Sequence, residues 1–342
     1  MNWPDKDGPQ TPQDAVLRML SGKWVVAAMA AAANVGLPDA LAQGPKTAAQ
    51  LADELDCHAP NLERIMRVLV GEGLLDELSG GVFALTETGR HLQDDSLGPL
   101  VRYITSMAQW APWANLDHSL RTGKSAFTRT HGVDLYTYVT DHPEHAALYN
   151  RGVDHFTREQ AAKLAELELF ATTRHVVDVG GGRGAVLTAL LARWPELRGT
   201  LFDLPHVVAS PHERLAEGGD LAARASLVGG DFRVAVPSGA DCYVIKHVLH
   251  NWDDAMCLRI LEHCAESLAP GGRVLVVEGI VLAGVSQDRT RLLDLEMMVV
   301  TEGGRERRKP EFRKLFKKAG LKMGTVTRLT PAAYCLEATL AG

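Results

Sequence analysis

The stretch "VVDVGGGRGAVLTALLAR", residues 176–193, runs apolar, breaks into glycines and resumes with apolar residues at helical spacing. Val176–Val179 reads as a buried strand, Gly180–Gly184 as a turn, and Ala185 onward as a helix. Asp178, Gly180, Gly182 and Gly184 fall on alternate positions. Without Cβ atoms the chain bends tightly there, and a ligand can approach the backbone. A strand–loop–helix at the carboxyl edge of a parallel sheet is where doubly wound folds place their ligands. Taken alone the motif does not separate ligand classes, since NAD and flavin sites use related loops.

Working outward, strands and helices alternate. "RGTLFDLP", "ASLVGGDF", "ADCYVIKHVLH" and "GRVLVVEGIV" read as strands, with "DDAMCLRILEHCAESL" and "KPEFRKLFKKAG" as helices and "MGTVTRLTPAAYCLEATLA" as closing strand-like segments. Continuous apolar strands predict a mostly parallel sheet covered on both faces, an α/β Rossmann-like arrangement. Asp203 ends the strand after the glycine turn, twenty-five residues beyond Asp178. A carboxylate there can accept both ribose hydroxyls of a nucleoside, and Leu204 is placed with it. Asp231 and Phe232 end another strand; the acid suits an exocyclic amine and the ring suits the face of an adenine. Together these features favour an adenosyl ligand without a pyrophosphate.

Before this region the style differs. "AAMAAAANVGLPDAL" predicts a helix stopped by Gly36 and Pro38. Thr47 is a candidate N-cap for a second helix, and Ala59-Pro60 opens a third whose Leu62, Ile65, Met66 and Leu69 form an apolar stripe. A strand–Gly-Gly–strand hairpin follows, with "VFAL" as its second arm. Helix–turn–helix plus hairpin, over residues 12–98, is a winged-helix pattern. It serves either DNA reading or packing and dimerisation. Arg64 and Arg67 are offset by Glu63 and Glu72, and the chain carries a formal charge of −6, so the positive footprint of DNA recognition is missing. The structural reading wins.

The 342 residues are enough for two domains. The first fifteen residues read as a loose arm without a signal-peptide pattern. The run "VVAAMAAAANVGL" from Val25 is too short to span a bilayer. Five scattered cysteines form no CxxC pair; with Cys257 and Cys264 at core spacing on one helix, buried thiols in a reducing, cytoplasmic setting are expected. From Leu100 to about Glu168 the chain is helical and rich in aromatic residues. These serve either a core or a pocket for a flat apolar substrate.

The ordered set "VVDVGGGRG", "LFDLP", "GGDF", "IKHVLHNWDD", "LAPGGRVLVVEGIV" and "GRERRKPEFRKLFKKAGL" resembles the small-molecule O-methyltransferases that use S-adenosylmethionine. The likeness is to the group of plant caffeate-type and bacterial antibiotic-tailoring enzymes, and it covers nearly the whole chain. It implies a class I methyltransferase fold with an N-terminal winged-helix dimerisation domain at 12–98 and a catalytic domain at 99–342. Residues 99–170 would be the helical substrate segment of that catalytic domain. It also implies a homodimer, with neither nucleic acid nor membrane as partner. By the same resemblance Gly180 lines the methionine part of the cofactor, with Gly182 and Asp178 in the same loop. Asp203 holds the ribose and Asp231 with Phe232 the adenine, while Lys246 and Trp252 lie close by. His250 falls on the general base, flanked by Glu278 and Glu306. Met297, Met298 and Thr301, with Met107, Trp110 and Phe156, would form the substrate wall. Many members carry an acid after the base; here Asn251 stands there.

The chemistry explains these residue types. A sulfonium methyl is already activated, so alignment of an oxygen at ~3 Å does most of the work. A phenol with pKa ~10 and an imidazole near 6.5 are mismatched by ~3.5 units, roughly 5 kcal/mol. Methyl transfer lowers the oxygen's basicity and closes that gap, so a nearby histidine suffices as base. A carboxylate on the far ring nitrogen fixes the tautomer. His247 reads as structural. No acidic cluster of the magnesium-dependent kind is apparent, so no metal is expected. One alternative keeps the fold and cofactor but diverts the site to hydroxylation, decarboxylation or pericyclic chemistry; another makes the chain a DNA-binding regulator.

Overall fold

The computed structural model describes residues 11–284 and 289–342. Contacts divide the chain into two units, one reaching to Trp110 and including Val139–His155, the other comprising Ala111–Tyr138 and Phe156–Gly342. The 99–170 segment is therefore shared between them.

In the second unit the apolar runs form strands β1 (His175–Val179), β2 (Arg198–Asp203), β3 (Ala225–Gly229), β4 (Ala240–Lys246), β5 (Leu268–Glu278), β6 (Leu321–Thr330) and β7 (Ala333–Leu340). They build one seven-stranded sheet in the order β3-β2-β1-β4-β5-β7-β6. β1 to β5 pair in parallel, and only β7 runs antiparallel to its neighbours β5 and β6. Side chains alternate between faces as the strand period requires. Val177, Val179, Tyr243 and Ile245 pack under the helices Asp254–Ser267 and Lys309–Lys318, through Ile260, Cys264, Phe312 and Phe316. Val176, Cys242, Val244 and Leu275 face the opposite way, onto Leu187, Leu190 and Leu191 of the helix Ala185–Arg193. Cys242, Cys257, Cys264 and Cys335 are buried free thiols.

This strand order reverses between β1 and β4, which creates a crevice beyond their carboxyl ends. Val179 of β1 lies opposite Ile245 of β4, so the glycine turn and the His247–His250 turn emerge side by side. The strand expected to reach His250 stops at Lys246. His247 has φ +50, a left-handed conformation that no strand continues through.

The first unit has the winged-helix elements. Thr11 caps the helix Pro12–Val35 through a capping box with Asp14, and Gly36 closes it at φ 78. Pro38 does not stop this helix; it lies in the first turn of the next, Leu37–Ala42, where its missing N–H costs nothing. Thr47 and Gln50 form a capping box on Ala48–Glu54. The helix Ala59–Gly71 buries Leu62, Met66 and Leu69, and the hairpin Leu75–Leu78/Val82–Leu85 gains Lys46–Thr47 as a third strand. Arg67 is paired with Glu63 at 2.6 Å. The loose arm expected over the first fifteen residues lies outside the described residues as far as residue 10; from Pro12 the chain is helical. That helix also extends well before Val25. By length and composition alone it is long and apolar enough to cross a membrane, which the shorter run was not. Val16, Met19, Leu20 and Trp24 stand exposed along it.

Candidate active site

Gly180, Gly182 and Gly184 have φ +65, +58 and +86, values that favour glycine. A Cβ on Gly180 would lie 2.7 Å from Val248 Cγ2 and 3.3 Å from the Phe232 ring, whereas one on Gly182 would meet open space. The turn is thus a rim without side chains. Asp203 braces it: Oδ2 accepts Gly182 N–H at 2.8 Å and Oδ1 accepts Leu204 N–H at 2.7 Å. A carboxylate offers about four lone-pair sites, so acceptor capacity remains for two hydroxyls. Burial raises the Asp203 pKa against the pull of those two N–H groups.

Asp178 is 1% exposed and lies beneath the turn, accepting Leu187 N–H at 3.3 Å, with Oδ1 unpartnered. Burial pushes its pKa up to about 7. Lys246 ends β4, with Nζ 3.3 Å from Thr157 Oγ1, and burial lowers it to about 8. Asp231 receives a two-pronged ion pair from Arg233, at 3.0 and 2.7 Å, whose hydrogen bonds hold its carboxyl low. Trp252 stands edge-on to Phe232, stacks on Tyr136 at 5.4 Å and 6°, and has the Arg233 guanidinium 5.4 Å from its ring centroid. Its buried Nε1 has no hydrogen-bond partner among the described residues. The glycine rim, the free lone pairs of Asp203 and this aromatic shelf fit an adenosyl group. Tyr136, one of the aromatic residues read as core or pocket in the segment from Leu100, joins this shelf, as does Arg233, which sequence reasoning missed.

His250 sits on the short turn Leu249–Asn251 and is 9% exposed. Its Nδ1 is 2.8 Å from Glu306 Oε1 and 3.5 Å from Glu278 Oε2. Glu278 ends β5, wholly buried, and its Oε1 accepts Leu249 N–H at 2.8 Å and His250 N–H at 3.3 Å. Glu306 is anchored by its own N–H on Asp294 Oδ1 at 2.8 Å. Burial alone would push the imidazole below its ordinary 6.5; the charge of Glu278 and the bond and charge of Glu306 outweigh it, and the pKa is raised. Burial would also raise Glu278, but His250 and His247 hold it down to about 2. Glu306 is pushed up by burial, with Glu278 and Asp294 adding to the effect. With Nδ1–H committed to Glu306, Nε2 carries the lone pair and has no hydrogen-bond partner among the described residues.

The turn is held from behind by Arg307, which is 0% exposed. Its guanidinium donates to Leu249 O at 2.9 Å and Trp252 O at 2.8 Å, on either side of His250, and to Asp254 at 3.0 Å. Sequence reasoning missed Arg307; its only signal was the cationic run "RERRK". Asn251 donates Nδ2–H to His247 O at 3.2 Å, a bond that an aspartate could not make. Asp253 takes the N-cap of the following helix.

The residues expected at the substrate wall are divided between the two units. Thr301 spends its hydroxyl on Met297 O and Gly304 N–H. Met297 is buried in a cluster with Phe127, Val299 and Val300, and Met298 is half-buried. Phe156 is exposed in the same unit, while Met107, exposed, and Trp110, half-buried, belong to the first unit. One ligand atom from each of His247, His250 and Glu278 falls within 4.8 Å of the others, a set able to hold a metal ion. Within it Glu278 Oε2 stands 3.4 Å from His247 Nδ1 and 3.5 Å from His250 Nδ1.

A family description of the O-methyltransferase domain matches residues 113–322, and one of the O-methyltransferase dimerisation domain matches residues 17–95. The chain is 39% identical to the 3-amino-4-hydroxybenzoate 4-O-methyltransferase of Streptomyces cremeus, over 97% of this chain and 91% of that one. Among solved structures it is similar to the mitomycin 7-O-methyltransferase MmcR, with TM-score 0.90, 33% identity, and coverage of 96% and 98%. It is also similar to the O-methyltransferase NcsB1 of neocarzinostatin biosynthesis, solved with S-adenosylmethionine and 2-hydroxy-5-methyl naphthoic acid. There the TM-score is 0.78 at 34% identity, with coverage of 92% and 96%.

Proposed function

The chain belongs to the O-methyltransferase family, and from that premise we propose that it methylates a phenolic hydroxyl of a small aromatic natural-product intermediate, with S-adenosylmethionine as donor and His250 as base. The observation that carries this reading is the buried His250–Glu306 bond of 2.8 Å, set at the crevice beside the glycine turn. Relatives named for hydroxyl methylation, and NcsB1 bound to the donor and a hydroxynaphthoate, support the substrate class.

When bound, S-adenosylmethionine supplies a methyl group already activated by its sulfonium. Gly180, Gly182, Asp203, Asp231, Phe232 and Trp252 would hold it. The protein's task is then placement and deprotonation. Glu306 fixes the His250 tautomer so that Nε2 faces the hydroxyl proton, and Glu278 stabilises the imidazolium once the proton arrives. Because both carboxylates raise the His250 pKa, the mismatch with a phenol shrinks below the ~3.5 units of an unperturbed ring. No step needs a Lewis acid.

The test is stoichiometry. With a panel of hydroxylated benzoates, naphthoates and phenazines, one S-adenosylhomocysteine is expected per methyl ether formed, and excess EDTA leaves the rate within about twofold. Product lacking the new methyl, or a rate that collapses with EDTA and returns with a divalent metal, would reject this reading in favour of diverted or metal-dependent chemistry.

Residues 12–98 are the dimerisation domain in this reading and 99–342 the catalytic domain, and the five free cysteines fit a reducing cytoplasm. The exposed Val16, Met19, Leu20 and Trp24 then meet a second copy of the chain. Light scattering is expected to give twice the 37.1 kDa chain mass; a monomer at micromolar concentration would count against it.

A further inference from the structure

His247 lies in the same turn as the base, and neither the family assignment nor the reading above gives it a task. Among the described non-glycine residues only Asp56 shares its positive φ. Such strain persists where surrounding bonds over-determine it, and it gathers at functional sites. Here the bonds are visible. His247 N–H donates to Val277 O at 3.0 Å, and its carbonyl accepts Asn251 Nδ2–H at 3.2 Å. The ring is gripped as well: Nε2 is 3.0 Å from Gln160 Oε1, Nδ1 is 3.4 Å from Glu278 Oε2, and the ring centroid is 5.2 Å from that of His250.

Hydrogen-bond accounting assigns the protons. Glu278 is fully buried, and its Oε2 has no hydrogen-bond partner among the described residues; two imidazole nitrogens face it, at 3.4 and 3.5 Å. The Nδ1–H of His250 goes to Glu306 at 2.8 Å, which leaves His247 Nδ1–H for Glu278. Burial, with Lys246 beside it, lowers the His247 pKa to about 4, so the ring is neutral and owns one N–H. Its Nε2 is then an acceptor, which requires the Gln160 amide to be turned so that its NH2 takes the place where Oε1 stands, an orientation that hydrogen-bond networks rather than atom positions decide. In this arrangement the 3.4 Å approach of His247 Nδ1 to Glu278 Oε2, two buried atoms that otherwise lack a hydrogen-bond partner, sets a donor facing an acceptor.

We propose that His247 is a positioning residue for the base, one that occupies Glu278 Oε2 and so leaves the Nδ1–H of His250 to Glu306 alone, with the ring set to offer Nε2. The inference rests on His250 being the base. Without the His247 donor, Glu278 Oε2 turns its unmet lone pair on His250, competes with Glu306 for the same hydrogen and binds the imidazolium more strongly. The charged groups facing His250 are Glu278 from β5, Glu306 from the 301–308 loop with Asp294 behind it, and Lys246 from the end of β4.

The experiment is the pH profile of kcat at saturating S-adenosylmethionine and phenol for His247→Leu and His247→Asn. Asparagine tolerates the left-handed turn and restores an N–H. In His247→Leu the acid limb is expected to move up by about one pH unit, a tenfold loss below the limb that recovers on the plateau. In His247→Asn it returns to the wild-type position, with S-adenosylhomocysteine affinity unchanged in both. A wild-type limb in His247→Leu, or an equal pH-independent loss in both variants, overturns the proposal. Should His247→Leu lose its melting transition, His247→Gly, which the turn accepts, replaces it with the same expectation. Failure of the base reading would look different, because His250→Ala would then stay active.

Discussion

Replacing His250 by alanine is expected to lower kcat by about 10²- to 10⁴-fold, the usual worth of a positioned general base, while S-adenosylhomocysteine affinity stays within about threefold of wild type. The second half of that expectation follows from position. His250 is engaged by Glu306 and Glu278, and neither carboxylate is bonded to the glycine turn. The mirror-image variant is Asp203→Ala. It strips an acceptor from the N–H groups of Gly182 and Leu204 and removes the lone pairs assigned to the ribose, so affinity for S-adenosylhomocysteine falls by about tenfold or more. Its kcat at saturating donor changes far less. Calorimetric titration with S-adenosylhomocysteine and steady-state kinetics read the two effects separately. A His250→Ala enzyme within threefold of wild-type kcat would remove the base from the mechanism, whatever the binding data show.

The wild-type pH dependence has a defined sign. Proton abstraction requires neutral imidazole, and the His250 pKa is raised by carboxylates whose effect exceeds that of burial. Activity is therefore lost as pH falls through a value above 6.5. Glu278, held down to about 2, stays ionised throughout that range and contributes no limb of its own. The same carboxylates that make the base stronger also move its working range upward, and His247 limits how far.

Much of this site was legible in the sequence because strand ends are. An apolar run that stops at Gly180 or Asp203 places its last residues at one edge of a parallel sheet, whatever the details of packing, whereas the runs read on to His250 and Val281 end at Lys246 and Glu278. Glu306 came with the family resemblance carried by "GRERRK", which says nothing of its neighbours' roles. Nothing local distinguishes Arg307, fully buried and holding the carbonyls around His250, from Arg305, which lies nearer the surface on Asp254 and Glu311. Tyr136 stacks on Trp252 from a segment far earlier in the chain, a pairing that composition cannot announce. Asp178 alternates with the glycines as a ligand contact would, yet the strand's alternation turns it inward, 1% exposed. The His247 turn was hidden for a different reason. Its φ of +50 runs against the local preference of histidine within an apolar run, and tertiary bonds alone hold it there.

Gly304→Ala is the substitution expected to do most damage without touching a reacting group. A Cβ at Gly304 would lie 2.5 Å from His250 O, 2.8 Å from the Asn251 carbonyl carbon and 2.3 Å from Thr301 Oγ1. Two of those three atoms are main chain. The third belongs to a hydroxyl already bonded to Met297 O and Gly304 N–H. The neighbours therefore cannot swing aside; either the 249–251 turn or the loop carrying Glu306 must move. Both ends of the 2.8 Å His250–Glu306 bond ride on those two segments, so any relief of the clash lengthens or tilts that bond. A misplacement of about 1 Å costs roughly 10²-fold in rate, and overpacking of this kind costs about 1–3 kcal/mol of stability. The expected result is a kcat near one-hundredth of wild type, a lowered melting temperature and unchanged S-adenosylhomocysteine affinity. Wild-type kcat with an unchanged melting temperature would mean that the two segments do not depend on this close approach. The contrast with His250→Ala is then diagnostic: imidazole is still present in Gly304→Ala, so its residual activity keeps an acid limb, while the alanine variant at 250 has lost the group that produces one.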